Sequence, residues 1–134
     1  MMARTDRHQR YLMRLITSRT LLYTEMVPTQ ALLRGNRDRF LSLDSVEHPI
    51  ALQLGGSDPA ALADCVQLAE SAGFDEINLN LGCPSPRVQQ GQFGASLMAR
   101  PALVALCIAA MTAVTNLPIT IKTRIGYDDV EDYE

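Results

Sequence analysis

A run of twelve residues, Asp75 to Pro86 (DEINLNLGCPSP), constrains the fold more than any other part of the 134-residue chain. Glu76 to Leu81 reads as a buried strand. Ile77, Leu79 and Leu81 share one face and Asn78, Asn80 and Gly82 the other, because strand side chains alternate with period two. Two amides facing a protein interior need hydrogen-bond partners, since an unpaired buried polar group costs free energy. Pro84 has no N–H to give a ladder and holds Cys83 extended. The strand therefore stops at Gly82-Cys83-Pro84 and presents a thiol at its carboxyl end, the end at which parallel α/β folds keep their chemistry.

The chain has one domain's worth of residues, or a piece of a larger unit. At 47% hydrophobic it has enough apolar content to bury a core. No run of ~18 apolar residues is present to span a membrane, and MMARTDRHQR lacks the apolar stretch of a signal peptide. Cys65, Cys83 and Cys107 are too widely spaced for a disulfide framework or a zinc site, which points to a reducing cytoplasm and no metal. Charge is uneven. Residues 1–40 hold eight Arg against three acids, and residues 41–134 hold four cations against twelve acids. An Arg-rich first helix can touch phosphates or simply present a solvated face, and composition alone does not name RNA as a partner.

In chain order, Asp6 to Ile16 has helical spacing, with Leu12, Leu15 and Ile16 apolar and Thr5 as N-cap. Thr20 to Val27 is strand-like and stops at Pro28. A short helix over Pro28 to Leu33 stops at Gly35-Asn36, and a further turn runs through Phe40. Ile50 to Gly55 is the next strand. Asp58-Pro59 opens a helix that Gly73 closes, with Leu62, Val66 and Ala69 along one stripe. After the Glu76–Leu81 strand come a glycine-bearing loop, Ser85 to Gly94, and a helix from Pro101 to about Val114. That helix is apolar nearly all round and so expected to be well buried. Ile119 to Arg124 is the last strand, and Asp132-Tyr133-Glu134 reads as the first turn of another helix. Four strands separated by connections of this length, with no hairpin signals, predict a parallel sheet of βαβ units.

Parity extends the polar face. Gln53 opposes Ile50, Leu52 and Leu54, and Lys122 shares a face with Thr120 and Arg124 against Ile119 and Ile121. Three consecutive strands thus place polar groups on one side and aliphatics on the other, as in a (β/α)8 barrel whose polar groups line the mouth. Lys122 is the only lysine in the chain, and a ligand anion or a neighbouring carboxylate would suit it. Cys83 is either a reactive thiol or an inert small residue. Gln53 and Asn80 either face a ligand or satisfy backbone groups. Cys65 and Cys107 lie in helices as core residues. His8 and His48 stand alone, without metal-ligand spacing.

TLLYTEMV, IALQLGGSDP, FDEINLNLGCPSPRVQQGQFGASLM and ITIKTRIGYDD resemble successive blocks of the tRNA-dihydrouridine synthases, closest to the A-type subfamily. The likeness runs from Thr5 onward, and the NLNLGCP block with its loop is the most specific part. It implies an FMN-dependent (β/α)8 TIM barrel that reduces uridines of the tRNA D-loop with NADPH as reductant. By position it places the catalytic acid on Cys83, flavin contacts on Gln53 and Lys122, and a tRNA contact on Asn80. Asn78, Arg124 and the Gln89–Gly94 loop fall nearby. The implied chemistry moves a hydride from reduced FMN to uracil C6 and a proton from Cys83 to C5. An ordinary thiol, with a pKa near ~8.5, is largely protonated at neutral pH and can donate that proton.

The family pattern would add a first strand with a Pro-Met segment before this chain. After it would come three further strands, the loops that hold the flavin phosphate, and a helical tRNA-binding domain. The expectation is therefore an N-terminal fragment in which residues 1–134 form an incomplete FMN-binding catalytic domain of about four parallel strands. Such a piece would be weakly active or inactive alone, and its two unpaired sheet edges invite self-association. Two other readings stand beside this one. The first is an FMN-dependent reductase of free pyrimidines. The second is a non-catalytic remnant that binds RNA or a partner through its Arg-rich helix.

Overall fold

Asp58, Pro59 and Gly73 show how closely local chemistry sets the elements. The Asp58 carboxylate accepts from the N–H groups of Ala60 and Ala61, Pro59 occupies the first turn, and Gly73 ends the helix at φ +92°, a conformation that costs glycine little. The computed structural model describes residues 5–126. Its elements are α1 (Arg7–Ile16), β1 (Leu22–Pro28), α2 (Thr29–Arg34), α3 (Arg37–Leu41), β2 (Ile50–Gly55), α4 (Pro59–Ala72), β3 (Glu76–Asn80), α5 (Pro86–Gln90), α6 (Pro101–Thr112) and β4 (Ile119–Lys122), with 3-10 turns at Ser45–Glu47 and Gly94–Ala99. The turn expected at Asp132–Glu134 lies outside the described residues.

The four strands form one parallel sheet in the order β1-β2-β3-β4. With helices in the connections, this is the α/β pattern of part of a (β/α)8 barrel. Register aligns Gln53 with Asn78 and Asn80 with Lys122. The opposite, aliphatic face is the core. Ile50, Leu52, Leu54, Ile77 and Leu79 are fully buried there against Leu62, Cys65, Val66 and Ala69 of α4 and Cys107 and Met111 of α6. Helix α6 departs from expectation. Only Cys107 and Met111 are buried and Leu106 is 62% exposed, because α6 meets the sheet and α4 with one face and no described element covers its other side. The Ser85–Gly94 loop also holds more structure than its glycines suggest, since Pro86 starts the one-turn helix α5.

Helix α1 is turned opposite to its sequence pattern. Arg10 is buried, while Leu12, Leu15 and Ile16 are 56%, 70% and 71% exposed. The cause lies in residues far along the chain. Arg10 Nε pairs with Glu47 Oε2, and Arg10 Nη1 donates to the Thr5 carbonyl at 3.0 Å. Arg14 donates to the carbonyls of Thr17, Glu47 and Pro49 at 2.8 to 3.0 Å. Glu47 is itself locked in a capping box with Asp44. Two of the arginines that read as a solvated or phosphate-binding face are therefore structural. The N-cap is Asp6, which accepts from Gln9 N at 2.9 Å, and not Thr5. His48 does not stand alone either. Its Nδ1 lies 2.7 Å from Asp75 Oδ2, which also accepts from Ile50 N and so ties the start of β2 to β3.

Burial pushes the Cys65 thiol up from 9.0 to about 12, with the Asp64 charge adding to the effect. The native state thus holds that proton more tightly than the unfolded chain. The stability this contributes is full below pH 9 and is lost as pH rises through 12. Urea midpoints should fall between pH 8 and pH 10.5, and Cys65→Ala should flatten that fall; an unchanged slope in the variant would contradict it.

Candidate active site

The polar face of the sheet is held by side chains bonding across strands. Gln53 Nε2 donates to Asn78 Oδ1, Asn80 Nδ2 donates to Gln53 Oε1, and Asn78 Nδ2 donates to Thr120 Oγ1, each at 2.9 Å. This lateral pairing is what lets Gln53, Asn78 and Asn80 be 97%, 97% and 94% buried without stranding an amide. Strand β1 joins by a different route. Its register slips between Tyr23 and Met26, and the Thr24 hydroxyl accepts from Gln53 N at 3.0 Å. A side chain thereby replaces a ladder bond.

Cys83 is positioned from both sides. Asn80 Oδ1 accepts from Gly82 N at 3.1 Å and Cys83 N at 2.9 Å, turning the chain sharply as β3 ends. The Cys83 carbonyl accepts from Ala95 N at 3.0 Å. Gly94, at φ +65°, comes so close that a Cβ there would lie 2.6 Å from that carbonyl. The loop thus folds back onto the cysteine, and only glycine fits at its point of return. The thiol is part-buried, with Sγ 3.6 Å from Ser85 Oγ. Arg124 Nε donates to the Gly82 carbonyl at 2.6 Å.

These groups line one cavity of about 900 Å³, with Met26 and Ile121 as apolar wall and Gln53, Asn80, Cys83 and Lys122 as polar wall. That volume lies within the range of about 300–1,000 Å³ usual for small-ligand sites. All four residues singled out in the sequence therefore meet at one place, as do Asn78 and Arg124. Gln89, Gln90 and Gln92 do not; they are exposed and off the cavity wall. Lys122 closes β4 as an exposed residue. The ion pairs among the described residues, Arg10–Glu47 and His48–Asp75, leave it uncommitted to a strand carboxylate. Asn80 satisfies the backbone N–H groups of Gly82 and Cys83, bonds Gln53 and also lines the cavity.

Tyr23, Thr24 and Thr120, which also line the cavity, were missed as site residues. Thr120 was readable by parity with Lys122, whereas the slip in β1 hid Tyr23 and Thr24. Among the described residues there is no group of three or more His, Cys, Asp or Glu able to hold a metal, and no helix long and apolar enough to cross a membrane.

A parallel α/β sheet with an amide-lined cavity and a thiol at the carboxyl end of a strand defines the class: part of a barrel-type domain, with its cavity at the strand ends where such folds carry their sites. The chain belongs to the dihydrouridine synthase family, whose family model, described as Dihydrouridine synthase (Dus), matches residues 1–134. It is 62% identical over 130 residues to the tRNA-dihydrouridine(20/20a) synthase of Vibrio parahaemolyticus, covering 97% of this chain and 40% of that protein. The enzyme of that name from Escherichia coli strain K12 is 61% identical over 97% of this chain and 37% of its own length. The Xanthomonas campestris protein of the same name is 59% identical over 99% and 40%. The chain thus spans about two fifths of the length of these relatives.

Burial also raises the Cys107 thiol above its ordinary value, and Cys65 is raised further. A native-state titration with a thiol-specific disulfide reagent should therefore modify Cys83 alone, with Cys65 and Cys107 reacting only in denaturant. Three thiols reacting at one rate without denaturant would contradict this site.

Proposed function

We propose that this chain supplies the proton-donating and flavin-facing wall of a tRNA-dihydrouridine synthase active site, which reduces the 5,6 double bond of a D-loop uridine. Residues 1–134 would then be part of an FMN-binding barrel domain working in the cytoplasm. The observation that carries this reading is that Cys83, Asn80, Gln53 and Lys122 come from three strands to line one cavity.

The donor set suits FMN. The Gln53 amide spends one N–H on Asn78 and keeps a second, and Lys122 is not ion-paired among the described residues. Carbonyl-rich, anionic heterocycles need such donors, and Gln53 and Lys122 would hold the cofactor. FMN, when bound, supplies the hydride for uracil C6, with NADPH as the source of reducing equivalents. The chain's own residues handle the rest. Asn80 keeps one N–H of its amide after bonding Gln53, enough to orient a uracil carbonyl once the base has left its stack. Lys122 offsets negative charge that gathers in the cavity during reduction. The Cys83 thiol carries the proton that C5 takes up, acting as an acid and not as a nucleophile.

The test is a chimera in which residues 5–126 replace the matching segment of the Vibrio parahaemolyticus relative. It should form dihydrouridine in tRNA transcripts and leave free uracil untouched; equal reduction of free uracil would instead favour a pyrimidine reductase. In that chimera Cys83→Ala should keep FMN bound and slow reduction by about 10²–10⁴-fold, and unchanged turnover would remove the acid role. Lys122→Ala should lower FMN retention on gel filtration, and full occupancy would count against its assignment.

A further inference from the structure

The side-chain hydrogen bonds that run from Asn80 to Glu76 across the polar face form a chain of one sense. The N–H groups of Gly82 and Cys83 donate to Asn80, Asn80 donates to Gln53, Gln53 to Asn78, and Asn78 to Thr120. Thr120 Oγ1 then donates to Glu76 Oε1 at 2.5 Å. An amide has one oxygen and one nitrogen, so turning any one of them over opposes like groups at both of its bonds. The backbone N–H of Cys83 can only donate, which fixes the sense at one end. At the other end the Thr120 hydroxyl has already accepted from Asn78, and its single hydrogen needs an acceptor. Glu76 Oε1 provides it. The same oxygen accepts from the Tyr23 hydroxyl at 3.1 Å, and burial together with Glu76 keeps that phenol protonated by raising its pKa.

We propose that Glu76 is a positioning residue: it accepts the last hydrogen of a relay whose sense the Gly82 and Cys83 N–H groups fix, and so steadies Asn78, Gln53 and Asn80, and through them Cys83, from the far end of β3. Successive bonds of one sense polarise one another in a low-dielectric interior, so the loss of the last acceptor loosens the first link. The relay rests on the functional reading only in taking Gln53, Asn80 and Cys83 as ligand-facing groups. Its effect there is to leave the second N–H of Gln53 and of Asn80 for a carbonyl-bearing ligand.

The measurement is backbone amide hydrogen exchange by NMR on the full 15N-labelled chain. Glu76→Gln keeps an oxygen for both hydroxyls, whereas Glu76→Met keeps the bulk and removes the acceptor. Thr120→Val removes the middle hydroxyl at nearly constant volume. Glu76→Met and Thr120→Val should each speed exchange at Gly82 and Cys83 by about tenfold relative to Leu62 and Val66 in α4. Their combination should be no faster than either alone, and Glu76→Gln should match the parent. Three results would overturn the relay: Glu76→Gln behaving like Glu76→Met, exchange rising equally in α4, or no change at Gly82 and Cys83. Should Glu76→Met not fold, Thr120→Val against Thr120→Ser carries the same test, with serine matching the parent. The readout involves neither flavin nor uridine. The expected pattern therefore supports the relay even where FMN fails to bind, a failure that would count against the functional reading alone.

Discussion

The bond between Gln53 and its two neighbours on β3 is the constraint on which the rest of the site depends. A sheet buried on both faces ordinarily carries aliphatic side chains on both. Here one face carries three amides that are at least 94% buried, and leaving any of them unpaired would cost about 1–3 kcal/mol. Gln53 bonds Asn78 with its nitrogen and Asn80 with its oxygen, so one residue satisfies both amides of the adjacent strand. The register that sets Gln53 beside Asn78 makes this geometry available. Asn80, with its nitrogen engaged, turns its oxygen to the backbone of Gly82 and Cys83. The position of the thiol follows from the pairing of the amides.

The opposite face does the stabilising. Its leucines and isoleucines pack on α4 and α6, and two of the three cysteines are spent there as small apolar groups. The same amino acid thus sits in two environments in one short chain. Cys65 and Cys107 are held protonated by burial, while Cys83 lies part-buried on the cavity wall. Helix α1 is anchored by charge and not by apolar contact, through the Arg10–Glu47 pair and the carbonyls that Arg14 reaches. A buried pair of this kind adds little net stability, but it fixes one arrangement, because removing either partner leaves a charge stranded.

Much of this was legible in the residues, and the limits have physical causes. Period-two alternation in Ile50–Gly55 and Glu76–Leu81 identifies both faces, and the Asp58-Pro59 and Gly73 signals bound α4 to the residue. The meeting of Gln53, Asn80 and Lys122 at one cavity follows from strand parity, and Cys83 joins them through the stop at Gly82-Cys83-Pro84. Which amide bonds which does not, since that depends on register between strands. The slip in β1 reverses parity midway, so Tyr23 and Met26 both line the cavity although strict alternation over Tyr23-Thr24-Glu25-Met26 would put them on opposite faces. The orientation of α1 was misread because its amphipathic pattern is local, whereas Glu47 lies 37 residues away from Arg10. Helix α6 was overestimated as buried for a related reason: apolar composition says what a helix could bury, not what lies beside it.

The central claim is that the amide-bearing face of the sheet, with Cys83 at its rim, is the surface that meets flavin and uracil. Its most direct test is the crystal structure of the chimeric enzyme grown with FMN. The account predicts an isoalloxazine ring in hydrogen-bond reach of the Gln53 amide and the Lys122 ammonium, with Cys83 Sγ facing the same space. A flavin seated elsewhere, or a Cys83 thiol turned away into the helices, would contradict it.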